Sequence, residues 1–239
     1  MFALGTIVNT LAILGGGVCG ALFGKMLGLH QQETLTRTCG VCSMFIGLSG
    51  TLEEMLHIQD GSIVASGSLL MIICLAIGAL IGEMLNLEDA FERFGAWLKV
   101  KTGNAKDKRF VDGFVTASLT VCIGAMAIVG AIQDGMEGDI SVLAAKSVLD
   151  FVIICVMAAS MGKGCIFSLI PVGILQGSVT ALSVVLKPIM TEAALSNLSY
   201  VGSILIFCVG VNLVWGKKLR VANMLPAVVI AVIAAFLPI

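Results

Sequence analysis

The chain has 239 residues, 58% of them hydrophobic and only 12% charged, with a mean hydropathy of +1.07. A soluble domain carries about 25% charged residues, and a fold of this size has no interior large enough to hide the excess apolar surface, so lipid has to be part of its solvent. The formal net charge is -1 and no segment concentrates basic residues as a nucleic-acid face would, which excludes nucleic acid as a partner.

A span needs about 20 mainly apolar residues. Eight segments approach that: 3–25, 36–53, 63–85, 110–132, 142–161, 165–186, 197–215 and 222–238. The expected fold is an all-α, polytopic transmembrane helix bundle of about eight spans in one membrane domain, with the lipid bilayer as its first partner. The first segment has no basic n-region and no A-x-A site, so it reads as a retained span rather than a cleaved signal. It carries Asn9, and Gly16, Gly20 and Gly24 at four-residue spacing. Small residues so spaced let helices approach closely, and this stripe could also be the face of a homo-oligomer. The second segment is short and carries Thr38, Ser43, Ser49 and Thr51.

Between the third and fourth spans, residues 86–101 read as one amphipathic helix. Leu87, Ala90, Phe91, Phe94, Trp97 and Leu98 recur at helical spacing. Glu88, Asp89 and Glu92 sit early and Lys99 and Lys101 late, which suits the helix dipole. It is expected to lie on the inner leaflet, with Trp97 at the headgroups.

The chain is organised around Val121–Asp150. An apolar helix with Gly124 and Gly130 reaches an acidic turn at Asp134, Glu137 and Asp139, and the next apolar run then carries Asp150. A carboxylate at that depth is costly unless it is paired, hydrated or used. Lys146 lies four residues earlier on the same face. It either neutralises Asp150 as an i, i+4 pair or shares an ion or proton site with it. The sixth span reads Pro171-Val-Gly-Ile-Leu-Gln176-Gly177, with Ser168 before it. Proline removes a donor and glycine resists helix, so a break here would expose backbone beside Gln176, as in the discontinuous helices of transporters. The alternative is a kinked, closely packed helix. Asn9, Ser43, Ser168 and Asn212, with Ser118 and Thr120, complete the intramembrane polar set. Each could be interhelical glue, or all could line one hydrated path with Asp150 and Gln176.

Loop charge gives an orientation. Twelve of the 14 Lys and Arg residues lie after spans 1, 3, 5 and 7, leaving Lys146 and Lys187. That side should be cytoplasmic and both termini extracytoplasmic. Glu53, Glu54, Asp60, Asp134, Glu137, Asp139 and Glu192 then make the outer face acidic. Gly20–Leu29 echoes Gly78–Leu87, which suggests a duplicated hairpin over residues 1–55 and 63–136. The eight cysteines fall in or beside apolar segments and read as small reduced hydrophobes; Cys39-x-x-Cys42 lacks the second pair a metal site needs. There is no H-E-x-x-H, G-x-S-x-G or phosphate loop, so neither an enzyme nor a cofactor is expected.

At Cys122–Gly135 and Leu143–Asp150, and again at Gly5-Thr-Ile-Val-Asn9, Ser168–Val172 and Gln176-Gly177, the chain resembles the bacterial multipass membrane proteins of the domain of unknown function 554 family. The resemblance covers essentially the whole chain and implies a bacterial inner-membrane location. It brings no substrate or activity. Function therefore rests on the residues. The first reading is a small transporter or channel for an ion or small polar solute, with Asp150 supplying charge and Gln176, Asn9, Ser168, Ser43 and Asn212 neutral ligands. The second is a non-transporting scaffold or accessory subunit with a dry, glycine-packed interior.

Overall fold

The computed structural model describes residues 3–59 and 61–237. Its helices are α1 (Leu4–Gly24), α2 (Leu29–Met55), α3 (Ser68–Leu85), α4 (Leu87–Lys101), α5 (Phe110–Cys122), α6 (Ala125–Met136), α7 (Ser141–Met161), α8 (Leu169–Ala181), α9 (Ser183–Leu186), α10 (Glu192–Trp215) and α11 (Pro226–Ala234). Short 3-10 turns, Lys163–Ser168 and Val221–Met224, lead into α8 and α11. Between α2 and α3 stands an antiparallel hairpin, β1 (Leu56–Gln59) and β2 (Ser62–Ala65), exposed along its length. The sequence reading placed the start of the third span at residue 63, inside this hairpin. Asp60 lies outside the described residues.

Among the described residues, five segments are long and apolar enough to cross a membrane: α1, α3, α7, Lys163–Ala181 and α10. A sixth is α5 with α6 taken together, although the two are bent by 63°. The expected count of eight is not reached on these criteria. α2 is long enough at 27 residues but opens on a polar turn (Gln31, Gln32, Glu33, Thr34), and Val221–Ala234 is apolar but short.

Close helix pairs organise the bundle. α1 runs parallel to α7, with Gly16, Gly20 and Gly24 against the backbone of Phe151, Cys155 and Ala159 in turn. α2 runs antiparallel to α10 through Gly40 against Gly210 and Gly47 against Ser203 and Phe207. α3 meets α11 and the turn before it, Gly78 against Ala227 and Gly82 against Asn223. The α1 stripe offered as an oligomer face is therefore filled by α7. The echoing stretches of α1 and α3 end differently, Lys25 in the right-handed and Asn86 in the left-handed conformation, and pack on partners of opposite direction.

α4 begins where Asn86 takes the left-handed conformation (φ 50°), which Asn tolerates better than most residues. Its apolar face rests on α5: Leu98 is buried with Phe110 and Phe114, and the Phe94 and Phe114 rings lie 5.8 Å apart. Its acidic first turns grip the segment after α10. Glu88, 3% exposed, accepts the Ala222 N–H at 2.9 Å and pairs with Lys217 at 2.9 Å; Arg220 bridges Glu83 (2.9 Å) and Asp89 (3.0 Å); Lys217 also bonds Glu92. Burial alone would lower the Lys217 pKa, but its hydrogen bonds to Glu92 and Glu88 outweigh burial and hold it above the ordinary 10.5. A group raised in the folded state contributes stability that is complete below its unfolded value and lost as pH rises through the folded one. Thermal midpoints in detergent should therefore fall above about pH 10.5, and a Lys217→Met chain should show a smaller alkaline fall.

Candidate functional site

Three helices bring Asn9, Asp150 and Gln176 into contact. The buried stripe of α1 is Gly5, Thr6, Asn9, Ile13, Gly16, Gly20 and Gly24, a helical period that sets Asn9 against the parallel α7. On α7 the matching stripe is Leu143, Lys146, Ser147, Asp150, Ile154 and Met157, with Asp150 at the tenth of 21 positions. α8 contributes Val172, Gln176, Val179 and Thr180.

Asp150 is 2% exposed, and Asn9 and Gln176 are fully buried. The Asp150 carboxylate accepts from Lys146 Nζ at Oδ1 (2.8 Å) and from Asn9 Nδ2 at Oδ2 (3.0 Å). Asn9 Nδ2 also donates to Gln176 Oε1 at 3.3 Å. The i, i+4 pairing of Lys146 with Asp150 thus forms, as a buried ion pair within one helix. One turn along α1, the Thr6 and Thr180 hydroxyls lie 3.5 Å apart.

Lys146 and Asp150 also border a cleft of about 500 Å³ between α2, α7, α10 and the α5–α6 junction. Its walls are mainly apolar (Ile46, Met126, Val156, Ile206), with Ser43 and Thr120 set into them. A charged pair on the floor of an apolar cleft can hold a small polar or charged solute away from bulk water, where electrostatic attraction is stronger.

The remaining candidates do not join this cluster. Ser168 is buried, but its hydroxyl donates to the Cys165 carbonyl (2.8 Å) within the 3-10 turn. Asn212 caps the turn after α10: its Nδ2 donates to Leu219 O (2.7 Å), and its Oδ1 accepts the Lys218 and Leu219 N–H groups. Both ends of the amide are engaged by that turn, and the residue borders a different cavity, of about 280 Å³, with Glu88, Glu92, Asp112 and Lys217. Ser43 reaches the cleft wall from α2, without a hydrogen bond to the cluster among the described residues.

Two expectations about the backbone are corrected. The sixth span is not broken at Pro171: that residue occupies the third position of α8, where a helix has no intrahelical partner for an N–H, and α8 continues through Gly173 and Gly177 to Ala181. The discontinuity lies in the fourth span, at Ile123–Gly124, where Gly124 adopts φ 149°, a conformation that L side chains rarely take. Gly124 itself lines the cleft beside Lys146 and Asp150.

Asp134 is also corrected. The sequence placed it in an acidic outer turn, yet α6 runs on to Met136 and holds it 3% exposed. Its Oδ2 accepts the Gly5 N–H at 2.9 Å, so it caps the start of α1, where the helix dipole favours negative charge. The signal was present: Ala127, Ala131 and Asp134 fall at i, i+4, i+7 on the buried stripe of α6.

A bundle of long apolar helices around a buried polar cluster defines a polytopic helical membrane protein. Within that class the chain belongs to the family described as "Protein of unknown function (DUF554)", whose model matches residues 4–236. It is 30% identical over 232 residues to the uncharacterized protein YqgA of Escherichia coli (strain K12), covering 95% of this chain and 94% of that protein. It is 27% identical over 232 residues to the uncharacterized membrane protein YdfK of Bacillus subtilis (strain 168), covering 97% and 95%. No solved structure matches it.

Proposed function

We propose that this protein is a small transporter or channel of the bacterial inner membrane, carrying an ion or small polar solute through the Asn9–Asp150–Gln176 cluster. One observation carries the reading: a mid-depth carboxylate, held by Lys146 and by Asn9, which in turn donates to Gln176 of a third helix, also borders a 500 Å³ cleft. Hydrocarbon makes such a cluster expensive, and intramembrane ionisable groups mark solute or ion paths. In this reading the chain is a conduit rather than an enzyme. The concentration of Lys and Arg on one set of connections supports a topology with that side cytoplasmic and both termini extracytoplasmic.

The test is flux in liposomes that hold the purified chain. Alkali chlorides are followed with a potential-sensitive dye and small neutral solutes by swelling. Wild type should exceed empty liposomes for one of these solutes, and Asp150→Asn should lower that flux by roughly an order of magnitude, because the charge is removed while the shape is kept. Equal flux from the two chains would take Asp150 out of the path. A second reading, a non-transporting scaffold, is favoured by the self-neutralised Lys146–Asp150 pair and the glycine packing of α1 on α7. It expects flux no greater than that of empty liposomes for every solute.

A further inference from the structure

The 280 Å³ cavity beside Asn212 lies in line with the Asp150 cleft. It sits at the end of the bundle where α4 and the segment after α10 are tied by Glu88, Glu92 and Lys217. Lys217 and Asp112 are exposed, which opens this vestibule to water at that end.

The vestibule and the cleft share no lining residue, yet the same four helices line both. On α2 one stripe runs from Thr36 at the vestibule to Cys39, Ser43 and Ile46 at the cleft; on α5 it runs from Val115 and Leu119 to Ile123. On α7 it runs from Met161 to Met157, Ile153 and Asp150, and on α10 from Leu213 and Val209 to Ile206. Each step is three or four residues, so each helix turns a single face to both spaces. Four continuous stripes make one column between α2, α5, α7 and α10. What parts its two halves is about one helical turn, roughly 5 Å, as from Met157 to Met161 or from Ile206 to Val209.

That layer is apolar. Leu119 and Val209 are buried, and Met161, Ile206 and Cys39 pack against the same core cluster. An apolar constriction too narrow for water makes an ion or polar solute shed its hydration to cross, so it gates by dewetting. Side chains alone close it, and side chains can move aside.

We propose that the solute path leaves the Asp150 cleft toward the α4 end of the bundle, between α2, α5, α7 and α10, and that the collar of Leu119, Met161, Val209 and Ile206 is its gate. This rests on the transporter reading and adds to it a route and the residues that control it. Leu119 is the central member: it is the innermost α5 residue of the vestibule, and its neighbour Thr120 already lines the cleft. Cys39 borders the cleft just beyond the collar, so its thiol reports what passes.

The experiment uses the full chain in bacterial membrane vesicles prepared in both orientations. A charged, membrane-impermeant thiol reagent is applied from the side at which Thr116→Cys, a vestibule position, reacts, and labelled positions are read by peptide mass. Native Cys39 should be labelled roughly tenfold more slowly than the introduced thiol, because the collar stands between them. Leu119→Ala should close most of that gap. In liposomes it should raise the flux of the carried solute severalfold, and Leu119→Trp should lower it. If Leu119→Ala does not fold, Leu119→Val makes the same test with a smaller trim. A Thr116→Cys thiol that is unreactive from both sides overturns the proposal, as does Cys39 labelling that the Leu119 variants leave unchanged. Flux above that of empty liposomes that ignores both Leu119→Ala and Leu119→Trp also overturns it, and leaves the transporter on another route. Cys39 labelling governed by Leu119 with no flux from any chain would keep the collar as a water seal and remove the transporter.

Discussion

Replacing Lys146 alone with Met should destabilise the chain by about 3–5 kcal/mol, the usual loss when one partner of a buried ion pair is removed. Asp150 would be left 2% exposed with the Asn9 amide as its remaining donor. One neutral donor does not offset a carboxylate taken out of water. The double replacement Lys146→Met with Asp150→Leu should recover most of the loss, because an apolar pair of similar volume carries no desolvation cost and often equals or exceeds the ion pair. The recovery should stay incomplete, since Gln176 and Asn9 would then hold only each other. Unfolding by SDS titration in mixed micelles, run on the two single variants and the double, gives the coupling directly. A loss below about 1 kcal/mol for Lys146→Met would mean that water reaches Asp150 and screens it as at a surface. The pair would then belong to the wet cleft rather than to the packed interior.

That measurement bears on how the site could be read from sequence. Asp150 and Lys146 were legible because charge stands out against an apolar run, and spacing alone puts i and i+4 on one face. Asn9 and Gln176 were legible as polar residues at depth, but their meeting was not. They are 167 positions apart, and their contact depends on α1 packing against α8 as well as α7. Asp134 was misplaced because hydropathy falls at residue 133, whereas backbone hydrogen bonds carry α6 to Met136. The break at Gly124 was hidden because its neighbours, Ile123 and Ala125, are as apolar as the helices on either side. Hydropathy reports where lipid is preferred, not whether the chain runs straight. Pro171 misled in the opposite direction. Proline breaks a helix by its position within it, and the helix start falls at Leu169, just before it. The amphipathic segment 86–101 was found almost to the residue as α4, but its grip on the 217–222 segment was not. Those partners are ion pairs and backbone bonds that have no periodicity to detect.

The glycines give the sharpest contrast between spacing and structure. Gly78 with Gly82 and Gly173 with Gly177 have the same four-residue spacing, and by that spacing alone either pair would be a site of close helix approach. Only the first pair is. A methyl group at Gly82 would overlap the backbone of Asn223, which is 1% exposed and accepts the Glu88 N–H through its side chain at 2.7 Å. Backbone cannot swing aside as a side chain can, so α3 and the turn before α11 would have to separate, and the start of α4 would lose its anchor with them. Gly82→Ala should cost about 1–3 kcal/mol, as overpacking does, and Gly82→Val should leave little folded protein in detergent. At Gly177 an added methyl meets nothing within 4 Å, and the position lies inside α8. Alanine there removes the entropic cost of a helical glycine, so Gly177→Ala should gain about 0.5–1 kcal/mol. The two substitutions are chemically identical, lie in apolar helices and differ in expected sign. Unfolding midpoints measured side by side would separate them, and equal losses at both sites would show that α8 packs its glycine face after all, against a neighbour that a single chain does not contain.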